Sequence, residues 1–148
     1  MDEQTIPEIE NLKRLKKGSL KRYRNNVKCI RRLERKLDLL NDRITKIKSP
    51  SFSGMPRGGV LVTIDDLMSD KLELEDRIKR LRQKGRSLKR AIYEEIDSLE
   101  DPRYCEVLEL FFIDCLEFED IADKLGYTER HIISLYSEAI KILSLKDH

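Results

Sequence analysis

Residues 118–132 read FEDIADKLGYTERHI, which places a short apolar-periodic run, a glycine and a threonine in the order that two helices at a tight turn require. Ile121 and Leu125 stand four apart, on one helical face. Gly126 admits the left-handed conformation that ends a helix sharply, and Thr128 is a good N-cap for the next one. Ala122 is small where two helices cross closely, and Tyr127 is placed to plug the turn. Ile132 and Tyr136 continue the apolar spacing beyond the glycine, so the pattern is that of a helix-turn-helix. It predicts a short helix over 118–125 and a terminal helix from Thr128 to about Leu145. A plain helical bundle is the competing reading.

Upstream, Asp101-Pro102 is an N-cap followed by proline at the first helical position, predicting a helix over 102–114 with Val107, Leu108, Phe111 and Phe112 inward. Glu117 stands where Ser or Thr commonly caps the next helix, a loss of ~1 kcal/mol of capping. The terminal helix carries more apolar residues than one such core uses: Ile132, Ile133, Leu135, Tyr136, Ile140, Ile142, Leu143 and Leu145. That surplus predicts packing against the rest of the chain or against a second subunit.

Residues 1–99 have a different texture. Ile9, Leu12, Tyr23, Val27, Ile30, Leu33, Leu37, Leu40, Ile44 and Ile47 recur at helical, coiled-coil-like spacing, weakened at Gly18-Ser19, where a bend or break is expected. A second stripe runs Leu67, Leu74, Ile78, Leu81, Leu88, Ile92, Ile96, Leu99, interrupted at Lys71 and Gly85, behind a capping-box-like Thr63 and Asp66. Neither stripe is buried by its own helix, so an antiparallel hairpin is the economical arrangement and self-association its rival. The connection, 49–62, is longer than such loops usually are, and Phe52, Met55 and Val60-Leu61-Val62 argue that part of it packs. It either covers the hairpin tip or presents Arg57 to a partner. The expectation is an all-α chain: residues 1–99 a long antiparallel helical hairpin, residues 100–148 a helix-turn-helix domain.

Composition narrows the function classes. Charged residues are 39% of the 148, aromatics 6%, and Trp is absent, which suits solvated helices better than a thick core. No apolar run approaches the roughly 20 residues of a membrane span, and the acidic N-terminus is not a signal peptide. Three scattered cysteines predict no disulfide framework, and without a Cys-x-x-Cys pair and with two histidines no metal site is expected. No catalytic constellation is present and no cofactor is implied, so the expected protein is cytoplasmic and not an enzyme. The net charge of +2 conceals opposite fields: residues 11–48 hold fifteen bases and three acids, whereas residues 100–148 hold five bases and twelve acids.

Residues 101–132 resemble region 4 of sigma-70-type factors. More closely, the chain is similar over its whole length to small phage and prophage regulators of Gram-positive bacteria related to ArpU- and RinA-type proteins. They share a charged helix, a loop like Ser53-Gly-Met-Pro-Arg-Gly58, a second charged helix and a terminal helix-turn-helix. The resemblance implies DNA binding and control of phage late or packaging genes in a bacterial host.

On that reading Thr128, Glu129, Arg130, His131 and Ser134 enter the major groove, with Arg130 the strongest candidate for a base or phosphate. Lys13, Arg14, Lys16, Lys17, Lys21, Arg22 and Arg24 form a basic arm that holds the DNA backbone, or a solvated face, or one paired with the acidic C-terminal domain of the same chain. His131 reads more readily as a capping or packing residue than as a base reader. The expected partners are double-stranded DNA, RNA polymerase and a second copy of the chain, with no membrane. Two alternatives stand: a non-catalytic protein-interaction module, capturing RNA polymerase, a repressor or a host defence factor, whose acidic helix-turn-helix no longer contacts DNA; and a packaging accessory of the small-terminase kind.

Overall fold

The computed structural model describes residues 6–48 and 63–146, and these are all-helical. The helices are α1 (Ile6–Lys48), α2 (Ile64–Asp97), α3 (Pro102–Leu108), α4 (Phe118–Leu125) and α5 (Glu129–Lys146), with a π-helical segment, Glu109–Ile113, continuing α3. No helix among the described residues is long and apolar enough to cross a membrane. The loop 49–62, with Arg57 and the Ser-Gly-Met-Pro-Arg-Gly run, lies outside the described residues.

The chain divides into two compact units, and the division falls inside both long helices: the first is Met1–Asn25 with Gly85–His148, the second Asn26–Lys84. In the second unit, α1 and α2 run antiparallel: Asn26 Nδ2 donates to the Leu81 carbonyl at 3.0 Å, while Leu39 and Leu40 share a groove with Asp70 and Leu74. Its buried apolar residues are Leu33, Ile44, Leu67 and Ile78. The start of α2 is a reciprocal capping box, with Asp66 N donating to Thr63 Oγ1 at 3.1 Å and Thr63 N to Asp66 Oδ2 at 3.4 Å.

The first unit has the deeper core. Val107, Leu108, Phe112, Ile121, Ile132, Ala139 and Ile140 are buried there with Leu20, Ile92 and Ile96. Around it, Phe111 stacks on Phe118 at 4.8 Å and meets Phe112 and Tyr136 edge-on at 4.9 and 5.0 Å. The apolar surplus of α5 is mostly absorbed here: Leu135, Tyr136 and Leu143 are buried, Ile142 is half-buried, and Ile133 and Leu145 remain exposed.

Two local expectations need correction. No break occurs at Gly18: α1 is unbroken through it. A helical glycine costs about 1 kcal/mol relative to alanine, and buried anchors on both sides, Lys16 and Leu20, offset that. Through Lys71 and Gly85, where the apolar stripe is interrupted, α2 runs as the one long helix expected. Second, the helix from Pro102 is not α-helical to 114. Leu110, Phe111, Phe112 and Ile113 are all buried, so this turn is enclosed on every side, and it widens, with Asp114 N donating to the Glu109 carbonyl at 3.0 Å. It closes on Cys115, a non-glycine residue at φ 60°, where the chain reverses toward α4.

Candidate nucleic-acid interface

The α4–α5 pair is built by the residues that announce it. Gly126 lies at φ 75°, and the backbone N–H groups of Gly126 and Tyr127 both donate to the Ala122 carbonyl, at 2.9 and 3.0 Å. Thr128 Oγ1 then accepts from His131 N at 3.1 Å and caps α5. Tyr127 does not plug the turn: it is 41% exposed and packs edge-on against His131 at 4.8 Å, because Ala122 and the turn's own backbone bonds leave no hole to fill.

Ile132, Leu135, Tyr136, Ala139 and Ile140 set the inward face of α5. Thr128, Glu129, Arg130, His131 and Ser134 are thereby brought together at the exposed start of the helix. Arg130 and Ser134 lie one turn apart. Arg130 makes no hydrogen bond or ion pair with the described residues.

The basic arm divides. Arg24 is buried: its Nη2 pairs with Glu117 Oε1 at 2.7 Å and reaches the Cys115 carbonyl at 3.4 Å, and its guanidinium lies 4.0 Å from the Phe111 ring centroid. Its Nε is buried without a hydrogen-bond partner. Glu117 makes no side-chain cap to α4, since its carboxylate serves Arg24 instead. Lys16, also buried, pairs with Glu95 at 2.7 Å. Lys17 sits 5.7 Å above the Tyr136 ring, Lys13 is 3.8 Å from Glu10, and Arg14 donates to Asn11 at 2.6 Å. Lys21 and Arg22 are exposed. Nothing in the spacing of the arm separates Arg24 from Arg22; the partner that does so is 93 residues away.

Titration follows the same burial. Burial pushes the Tyr136 hydroxyl up to about 12, against the opposing charge of Arg24. Burial, reinforced by Asp97, Asp114 and Glu106, raises Glu109 above the usual carboxylate range. Hydrogen bonding from Arg103 lowers Asp101, whose carboxylate caps α3 by accepting from Arg103 N at 2.9 Å. The three cysteines are free, and among the described residues no three of His, Cys, Asp and Glu gather where a metal ion could be held.

Counted by unit, the first has fifteen bases and nineteen acids, net −4, and the second fifteen bases and nine acids, net +6.

Residues 46–144 match the model of a family described as a protein of unknown function (DUF1492), and the chain belongs to that family. The match takes in α2 to the last turns of α5 and leaves most of α1 outside it. No curated protein and no solved structure matches the chain.

Proposed function

We propose that the chain is a non-catalytic DNA-binding regulator that presents the first turns of α5 to a duplex. The observation that carries this reading is the shared exposure of Thr128, Glu129, Arg130, His131 and Ser134 on a helix whose other face is fixed in the core. Arg130 has the fork geometry suited to guanine O6 and N7 or to a phosphate, and no partner among the described residues competes for it. The resemblance to sigma-region-4-like regulators of phages points the same way, with late or packaging genes as targets and RNA polymerase as a further partner. The location this implies is the bacterial cytoplasm.

The test is duplex selection from a random pool, followed by titration of selected and unselected duplexes. Arg130→Ala is expected to lose about 1–3 kcal/mol of discrimination between them, roughly a 5- to 150-fold change. A folded protein that binds no duplex at low salt would sink the reading. A second reading, a protein-interaction module, is favoured by the −4 charge of the first unit and the internal use of Lys16 and Arg24. Phosphate repels an acidic surface, so that negative result would favour this second reading.

A further inference from the structure

We infer that the outward face of α1 in the second unit is a docking surface for the phosphate backbone of double-stranded DNA, a contact that rests on the DNA-binding reading and adds to it a surface made of other residues. Successive residues of an α-helix turn by about 100°. On that wheel Lys28, Arg32, Arg35, Lys36, Arg43 and Lys46 fall in one sector about 100° wide, together with Leu39 and no acid. All seven are exposed, whereas Leu33 and Ile44 on the other side are buried. None of the six cations makes a hydrogen bond or ion pair with the described residues. The cations of this unit that do pair, Arg82 with Glu34 and Arg80 with Asp76, belong to α2.

An ordinary solvated helix face mixes its signs, and α2 does so: residues 64–84 hold six acids and six bases. Residues 26–48 of α1 hold eight bases against three acids, Glu34, Asp38 and Asp42, all outside the sector. Asp70 and Glu73 line a groove with Lys36 and Arg43 and soften the field there. Lys28, Arg32, Arg35 and Lys46 lie outside that groove, and the acid nearest to them on the helix wheel is Asp42, one turn before Lys46.

Eighteen residues of rise separate Lys28 from Lys46, about 27 Å, the axial length of roughly eight base pairs. Lys28, Arg32 and Arg35 follow one another at about one helical turn, with Lys46 three turns further on, and two of the four are arginines able to engage phosphate with two hydrogen bonds. An amphipathic partner helix is a poor fit, because such a helix needs apolar anchors on successive turns and Leu39 stands alone. Contacts to phosphate carry no sequence information, so this surface contributes affinity and leaves selection to other residues.

The test uses the full chain and a random-sequence duplex, titrated at several salt concentrations. Replacing Lys28, Arg32, Arg35 and Lys46 together by Glu is expected to weaken binding by more than about tenfold at low salt. The same change should make the plot of log affinity against log salt shallower by about 3 to 4. Should the reversal unfold the chain, neutral Gln at the four positions is expected to move both readings in the same direction by a smaller amount. Arg32→Lys with Arg35→Lys keeps the charge and should keep the wild-type salt slope with a small loss of affinity, and Arg130→Ala should change the salt slope by about one or less. A folded quadruple variant with the wild-type affinity and slope overturns the inference while leaving the DNA reading intact. Failure of the wild type to bind any duplex overturns both. Polyglutamate that competes as well as duplex would mark an acidic protein as the occupant and overturn the assignment to nucleic acid.

Discussion

The two units use the same residue types for opposite ends. In the first, cations of α1 are structural: Arg24 is clamped between Glu117 and the Phe111 ring, and Lys16 is buried against Glu95. In the second, the same helix points outward six cations that have no partner among the described residues, over a core of a few aliphatic side chains. A basic count along a helix therefore does not measure the charge available to a partner. What measures it is whether a neighbouring element carries carboxylates and aromatic rings at the right height, as Glu117 and the π turn's Phe111 do for Arg24.

The largest effect that would break this contrast concerns core depth. Phe112 is fully buried and touches rings on two sides, so Phe112→Ala is expected to destabilise by about 3–5 kcal/mol. Leu33 is equally buried but sits in a unit formed by two helices, where the walls relax more easily, so Leu33→Ala is expected near the lower end for aliphatic truncations, about 2 kcal/mol. Urea unfolding of the two variants gives the comparison, and equal losses would mean that the two cores are equally rigid.

Next in size is the split between cations. Arg24→Ala removes an ion pair, a ring contact and the packed stem, an expected loss of about 2 kcal/mol, discounted because Glu117 stays largely in water. Arg32→Ala is expected to change stability by less than about 0.5 kcal/mol while weakening duplex binding. Arg24→Lys sharpens the point, since it keeps the charge but loses the planar face over Phe111, and should recover only part of the loss. A stability loss at Arg32 equal to that at Arg24 would erase the distinction.

What was legible in the sequence follows from range. Asp101-Pro102, Thr63 with Asp66, Gly126 and Thr128 act within a few residues, and each does in the structure what its local chemistry dictates. The boundaries of α4 coincide with the apolar spacing for the same reason. The π turn was not legible, because a run of four apolar residues has no period; only enclosure on all sides decides how it winds. Gly18 misled in the other direction, since its propensity cost is smaller than the hold of Lys16 and Leu20. Within the candidate interface, the grouping of Thr128 to Ser134 at the exposed start of α5 could be read from the cap and the inward stripe. The fate of Arg24 could not, because Glu117 and Phe111 lie far away in sequence.

The smallest effect concerns the acid excess of the first unit. Glu109 is half-buried beside Asp97, Asp114 and Glu106, and burial with those three charges holds its carboxyl above the usual range. A carboxyl raised in the folded state binds its proton more tightly there than in the unfolded chain. Its contribution is therefore most favourable below the ordinary carboxylate value and is lost as pH rises through the raised one. At neutral pH the ionised group opposes folding, so Glu109→Gln is expected to raise Tm at pH 7 by about 1–3 °C. That gain should shrink as pH falls and vanish below the ordinary carboxylate range, where the wild-type carboxyl is neutral in both the folded and the unfolded chain. Glu75→Gln, on the exposed surface of α2 in the basic unit, should leave Tm within about a degree at every pH. A gain at Glu109 that is independent of pH would assign the effect to packing of the amide, and charge crowding would then not distinguish the acidic unit from the basic one.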